Sequence, residues 1–141
     1  MSEKLKQLYQ ELILQHHRHP VHFEKREDAG AVIEAYNPIC GDRFQLYLDM
    51  ADEKIARISF YGYGCAISKA ATSVLVSQMD GQGVIQAAQT IERFLHALQS
   101  TEENPILENE LAAFLPARQF PERMQCVTLS WEALKTFLAG Y

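Results

Sequence analysis

Two short runs of alternating residues, separated by a few polar ones, constrain this chain more than any other feature. Phe44, Leu46, Leu48 and Met50 alternate with Arg43, Gln45, Tyr47 and Asp49. Beyond a polar break at Ala51-Asp52-Glu53, Ile55, Arg57, Ser59 and Tyr61 alternate with Ala56, Ile58 and Phe60. A period of two belongs to half-buried strands, and two such runs across a short break form a β-hairpin. Setting Met50 opposite Lys54 puts Arg43 opposite Tyr61. Antiparallel pairing then brings the loop before the first strand beside the loop after the second. Those loops carry Cys40-Gly41-Asp42 and Gly62-Tyr63-Gly64-Cys65, so two thiols and a carboxylate are expected at one end of the sheet.

Around this hairpin the periodicity is mostly helical. Leu5, Leu8, Tyr9, Leu12 and Ile13 mark an amphipathic helix that Pro20 must end. After Gly30, Ala31 to Tyr36 reads as a short strand. Ile67, Ala70, Ala71, Val74 and Leu75 mark a helix starting just past Gly64. Ala87, Ala88, Ile91, Phe94, Leu95 and Leu98 mark another from near Gly83, interrupted at Asn104-Pro105. A short helix is expected from Ile106 to Leu115. Pro121 suits the first turn of a last helix that carries Val127, Trp131, Leu134 and Leu138 on one face. The order predicts an α+β fold: one domain over 1–141, with a three-stranded antiparallel sheet packed by several helices. Phe94, Phe114 and Trp131 are candidates for its core.

Composition narrows the function classes. The 141 residues carry 13 Lys+Arg against 18 Asp+Glu, a formal charge of −5, with the basic residues scattered. Such a chain is a poor partner for a phosphate backbone, and no nucleic acid is expected. No apolar run approaches the ~18 residues of a membrane span, and the first residues lack a signal peptide's apolar stretch. A soluble cytoplasmic domain is expected, with no membrane partner.

The three cysteines, Cys40, Cys65 and Cys126, are 25 and 61 residues apart. An odd, widely spread set without Cys-x-x-Cys argues against a disulfide framework, a zinc ribbon and a thioredoxin-like motif. Buried structural thiols are the plain alternative. Cys65, however, falls at a helix start, where free N–H groups favour a thiolate. Cys126 lies in the first turns of the last helix; if that helix covers the same end of the sheet, Cys40, Asp42, Cys65 and Cys126 form one group. Three sulfurs and an oxygen suit tetrahedral zinc, or an iron–sulfur cluster with Asp in place of one Cys. Asp42 alone also reads as a turn residue. Gln15-His16-His17-Arg18-His19 reads as a polar helix end rather than a metal site.

The segments Asn37-Pro38-Ile39-Cys40-Gly41-Asp42, Tyr61-Gly62-Tyr63-Gly64-Cys65-Ala66-Ile67-Ser68 and Arg123-Met124-Gln125-Cys126 resemble the IscU/SufU (NifU N-terminal) iron–sulfur cluster assembly family. His16 with Pro20 is similar to the segment after that family's first helix. The resemblance spans nearly the whole chain. It implies a NifU/IscU-like fold and a metal site of Cys40, Asp42, Cys65 and Cys126. Within the family the chain is more similar to the SufU branch. Gln125 stands where IscU-type scaffolds have a histidine, and Gln119-Phe120-Pro121-Glu122-Arg123 replaces their Leu-Pro-Pro-Val-Lys segment. Asn104 to Pro116 and Trp131-Glu132-Ala133-Leu134 are also SufU-like. Ala70-Ala71 departs from the family's usual Ala-Ser, a change expected to affect packing or partner contact more than metal binding.

The SufU resemblance implies a zinc-containing sulfur acceptor, sulfurtransferase-like, that takes persulfide sulfur from a PLP-dependent cysteine desulfurase of SufS type and works with other iron–sulfur assembly proteins. It assigns Cys40 as the acceptor, freed when a desulfurase histidine takes its ligand position, while Asp42, Cys65 and Cys126 keep the zinc. Arg123 either screens the thiolates or faces solvent. The alternative is a scaffold that assembles and hands on a [2Fe–2S] cluster. An inert structural zinc domain fits the loop cysteines less well. A Cys–His hydrolase fits least, since no histidine accompanies the cysteine motifs.

Overall fold

The alternating runs do pair, more tightly than the sequence suggests. In the computed structural model, which describes residues 3–103, 105–107 and 109–141, strands β2 (Arg43–Ala51) and β3 (Lys54–Tyr63) close through two residues, Asp52 and Glu53. Both take the left-handed conformation, with φ of 52° and 60°. Such a turn matches the twist of paired strands but ordinarily recruits Asn-Gly. Here the neighbouring loop holds it: Val84 N–H donates to Glu53 O at 2.9 Å, and Ile55 N–H donates to Gln82 O at 2.8 Å.

Ala51 therefore faces Lys54, and a bulge follows, with Met50 opposite Ile55 but Asp49 opposite Arg57. Ala56 is the extra residue, and it completes a two-residue shift along β3. Arg43 consequently faces Tyr63, not Tyr61. The shift moves Cys65 closer to the start of β2 than the expected pairing would have done.

Strand β1 (Ala31–Tyr36) lies antiparallel on the other side of β2, giving the order β1-β2-β3. The segment after the first helix adds a bridge that no alternation announces: Phe23 sits beside Phe60, with Glu24 N–H donating to Phe60 O at 2.9 Å. Phe44, Leu46, Leu48, Ile58 and Phe60 supply the sheet's buried face.

Helices α1 (Glu3–Arg18), α2 (Ala66–Met79), α3 (Val84–Gln99), the one-turn α4 (Asn109–Ala112) and α5 (Pro121–Ala139) complete the α+β fold. Leu12 and Ile13 of α1 pack on the core; the side chains of Leu5, Leu8 and Tyr9 lie outside the described residues. Phe94, Phe114 and Trp131 are fully buried, as their spacing predicts. The Trp131 indole N–H donates to the Ala71 carbonyl at 3.1 Å. An apolar payload of this size is held best when its one polar atom has a partner.

The expected helix from Ile106 to Leu115 is instead α4 followed by a 3-10 helix, Leu115–Gln119. Pro116, in that helix's first turn, lacks the N–H that would continue an α-helix from before it. Arg118 ties the segment back through the carbonyls of Ser100 (3.0 Å) and Glu102 (2.9 Å). Asn104, where an interruption was expected, lies outside the described residues.

His16 does more than end a helix. Its Nδ1 bonds Ser73 Oγ at 2.7 Å, and its Nε2 lies 3.4 Å from Glu110 Oε2. The same Ser73 oxygen accepts from Val21 N–H at 2.8 Å. The chain leaving α1 is thereby fastened to α2.

Asp49 fastens the loop before β1. Its Oδ1 accepts from Gly30 N–H at 2.8 Å and its Oδ2 binds the buried Arg26 guanidinium. The Gly30 amide first, then Arg26, hold this carboxyl below the usual carboxylate range. A lowered folded-state pKa contributes stability that is present above the unfolded value and is lost as pH falls through the folded one. In urea unfolding, Asp49→Asn should lose stability at neutral pH, with the gap from wild type narrowing below about pH 4, the ordinary carboxylate range. A gap that stays constant down to pH 3 would contradict this linkage.

Candidate metal centre

The antiparallel pairing delivers both halves of the hairpin end to one place. The β1–β2 loop is a tight turn: Gly41 N–H donates to Asn37 O and Asn37 N–H to Asp42 O, each at 2.8 Å. The Asn37 carboxamide oxygen accepts from Ile39 N–H at 3.0 Å. Gly41 has a φ of +79°, which a side chain would strain. The turn leaves Cys40 exposed at its crest and folds Asp42 inward, where it is 2% exposed.

Asp42 then reaches across the hairpin. Its Oδ1 accepts from the Cys65 N–H at 3.0 Å, and its Oδ2 accepts from the Cys40 thiol at 3.1 Å. This approach depends on Gly64. A Cβ there would stand 2.8 Å from Asp42 Oδ1, 2.5 Å from Ser68 Oγ and 2.9 Å from the Phe44 ring. Sequence reading leaves Asp42 open between turn residue and ligand; the geometry makes it the link between the two loops.

Cys65 is the N-cap of α2, with Ser68 N–H donating to its sulfur at 3.4 Å. Cys126 enters from the first turns of α5 and is buried. The metal-binding atoms of Cys40, Asp42 and Cys126 all lie within 4.8 Å of one another. Cys65 stands beside this trio, near enough to Cys126 to affect its ionisation. Burial, then the neighbouring Cys65, and after it Asp42 and Cys40, push the Cys126 thiol up to about 12.

The donor set fits a thiophilic cation. Cys126, held as a thiol by burial and its neighbours, gains nothing from ionising alone. A bound cation would favour its thiolate, and the two sulfurs and one carboxylate oxygen that lie together, with the Cys65 sulfur beside them, match the donor chemistry of zinc sites. Among the described residues, no other group of three histidine, cysteine or acidic side chains brings its ligand atoms this close together.

Two further residues shape the site. Gln125 Oε1 accepts from the Asn37 carboxamide at 3.2 Å, tying the Cys40 loop to α5 just before Cys126. Sequence reading notes Gln125 only as a missing histidine. Ser68 lies three residues past the helix-starting Cys65, and only the structure shows the partners that its amide and hydroxyl find there. Arg123 stands exposed on the wall of an open groove of about 600 Å³, shared with Cys65, Ala66, Ile67, Phe120 and Glu122.

The chain belongs to the NifU-like N terminal domain family, whose family model matches residues 8–141. It is 33% identical over 134 residues to the iron–sulfur cluster assembly scaffold protein IscU of Streptococcus pyogenes, covering 94% of this chain and 83% of that one. It is 29% identical over 139 residues to the zinc-dependent sulfurtransferase SufU of Bacillus subtilis, covering 98% and 94%. It also superposes with a TM-score of 0.83, at 29% identity and covering 91% and 94%, on the crystal structure of a Fervidobacterium islandicum protein assigned to scaffolding of iron–sulfur cluster assembly in the SUF system.

The three thiols should differ in reactivity. With metal-free protein at pH 8 and a chromogenic disulfide reagent, Cys40 should react first and Cys65 more slowly. Cys126 should stay unmodified until the protein is unfolded, because thiolate is the reactive form. Cys126 reacting as fast as Cys40 would contradict the burial and ionisation described.

Proposed function

We propose that this protein is a zinc-dependent sulfur acceptor in iron–sulfur cluster assembly, taking persulfide sulfur from a cysteine desulfurase of SufS type. The observation that carries the reading is the inequality within the cysteine group. Cys40 is exposed on a loop crest, while Asp42 and Cys126 beside it are buried. A donor protein can reach the first without disturbing the others. The SufU relative, matched over nearly its whole length, supports the same reading.

Cys40, Asp42, Cys65 and Cys126 would hold the zinc. When bound, zinc would keep its cysteines as thiolates at neutral pH. In the transfer, Cys40 sulfur attacks the outer sulfur of the donor's persulfide. The donor S–S bond breaks, a new S–S bond forms on Cys40, and the donor cysteine leaves as a thiolate, with no net oxidation. Asp42 faces the Cys40 sulfur and anchors its loop to the Cys65 amide, which limits how far the loop moves when Cys40 changes partners.

The IscU relatives favour a second reading, a scaffold that assembles a [2Fe–2S] cluster as cargo on the same four residues. The two readings part on turnover. Zinc-loaded wild type should raise the desulfurase's steady-state rate at least tenfold, and Cys40→Ala should abolish the stimulation while keeping the fold. If zinc-loaded protein leaves the rate unchanged, and iron with sulfide yields a stable cluster, the scaffold reading replaces the first.

A further inference from the structure

Helices α2 and α5 meet along apolar side chains, Ala71 and Trp131 among them, yet a file of hydroxyls runs through the same interface. Ser68 Oγ donates to the Cys65 carbonyl at 3.0 Å and lies 3.5 Å from the Cys65 sulfur, whose thiol donates to it. The Ser68 backbone N–H points at that sulfur from 3.4 Å. One turn on, Thr72 Oγ1 donates to the Ser68 carbonyl at 2.8 Å and shares a 2.7 Å hydrogen bond with Ser130 Oγ. Ser130 lies one turn beyond Cys126 on α5. Ser68 and Thr72 are each 1% exposed and Ser130 is 2% exposed.

Packing alone does not call for these groups. Hydroxyls buried between helices must each find a partner, and a threonine bonded back to its own helix adds no helical stability. Alanine and valine would fill the same space. What the hydroxyls add is direction, because a bonded pair fixes the register of α2 on α5 where apolar contact tolerates sliding. Each end of the file lies within a helical turn of a cysteine, Cys65 on α2 and Cys126 on α5. The turn bearing Cys65 is also clamped from the β1–β2 loop, through its N–H on Asp42.

We propose that Ser68, Thr72 and Ser130 are positioning residues of the metal centre, with Ser68 holding the Cys65 sulfur as fourth donor to the group formed by Cys40, Asp42 and Cys126. This rests on the metal-binding reading above and extends it to residues that touch no metal. Partners of this kind typically govern affinity by 10–100-fold.

The test is cobalt(II) titration of the metal-free full chain, with zinc affinity from chelator competition and urea unfolding in parallel. The variants are Ser68→Ala, Thr72→Val and Ser130→Ala. Ser68→Ala should weaken zinc binding 10–100-fold and lower the thiolate-to-cobalt absorption by about a third, the share of one sulfur in three. Thr72→Val and Ser130→Ala should move both readouts in the same direction by less. Lower urea midpoints with unchanged zinc affinity and cobalt spectra would make the file merely structural and overturn the proposal. Should Ser68→Ala not fold, Thr72→Val decides by the same two readouts. A wild type that takes up no cobalt would overturn the metal-binding reading itself, and the proposal with it.

Discussion

The hydrogen bond from the Cys65 amide to the Asp42 carboxylate is the constraint on which the site depends. It joins residues 23 positions apart, and only the antiparallel pairing of β2 with β3 makes it possible. One loop ends in Asp42 and the other begins α2 at Cys65, so the bond fixes a loop to a helix N-terminus. Gly64 leaves the space for the carboxylate, and the inward fold of Asp42 keeps Cys40 at the crest of its turn. The sheet determines where the two loops lie, and the carboxylate determines how closely they meet.

The third cysteine arrives by a different route. Cys126 depends on α5, which is held by the burial of Val127, Trp131 and Leu134 and by the indole hydrogen bond to Ala71. The Asn37–Gln125 bond then ties the Cys40 loop to this helix. Two long-range arrangements, strand pairing and helix packing, thus converge on one small volume. Sequence separation among the donors is large, yet each is set by an element with its own stability. Cys40 is left as the exposed member of the group, with Asp42 and Cys126 buried beside it.

Much of this was legible in the sequence, for identifiable reasons. The alternation in 43–50 and 54–61 reports which face of each strand is buried, and pairing the two runs brings Cys40, Asp42 and Cys65 together under any nearby register. The register itself was not legible: no glycine marks Asp52-Glu53 as a left-handed turn, and a bulge leaves no compositional trace. Phe23 beside Phe60 was hidden because a single bridge has no period. The place of Cys126 was legible only on the condition that α5 covers the same end of the sheet, which its apolar stripe does not dictate, and Ser68, Thr72 and Ser130 do not stand out. Serine and threonine in a helix read as neutral until a neighbouring helix supplies their partners. His16, taken as a polar helix end, proved to be a tie to Ser73, a contact 57 positions away that no local pattern encodes.

The central claim is that three sulfurs and one carboxylate oxygen, from Cys40, Cys65, Cys126 and Asp42, hold a single zinc ion. X-ray absorption at the zinc edge of the loaded protein tests it most directly. The account predicts three sulfur scatterers at about 2.3 Å and one oxygen at about 2.0–2.2 Å, with Asp42→Ala losing the oxygen shell and keeping the sulfurs. A first shell containing histidine nitrogen, or only two sulfurs, would contradict it.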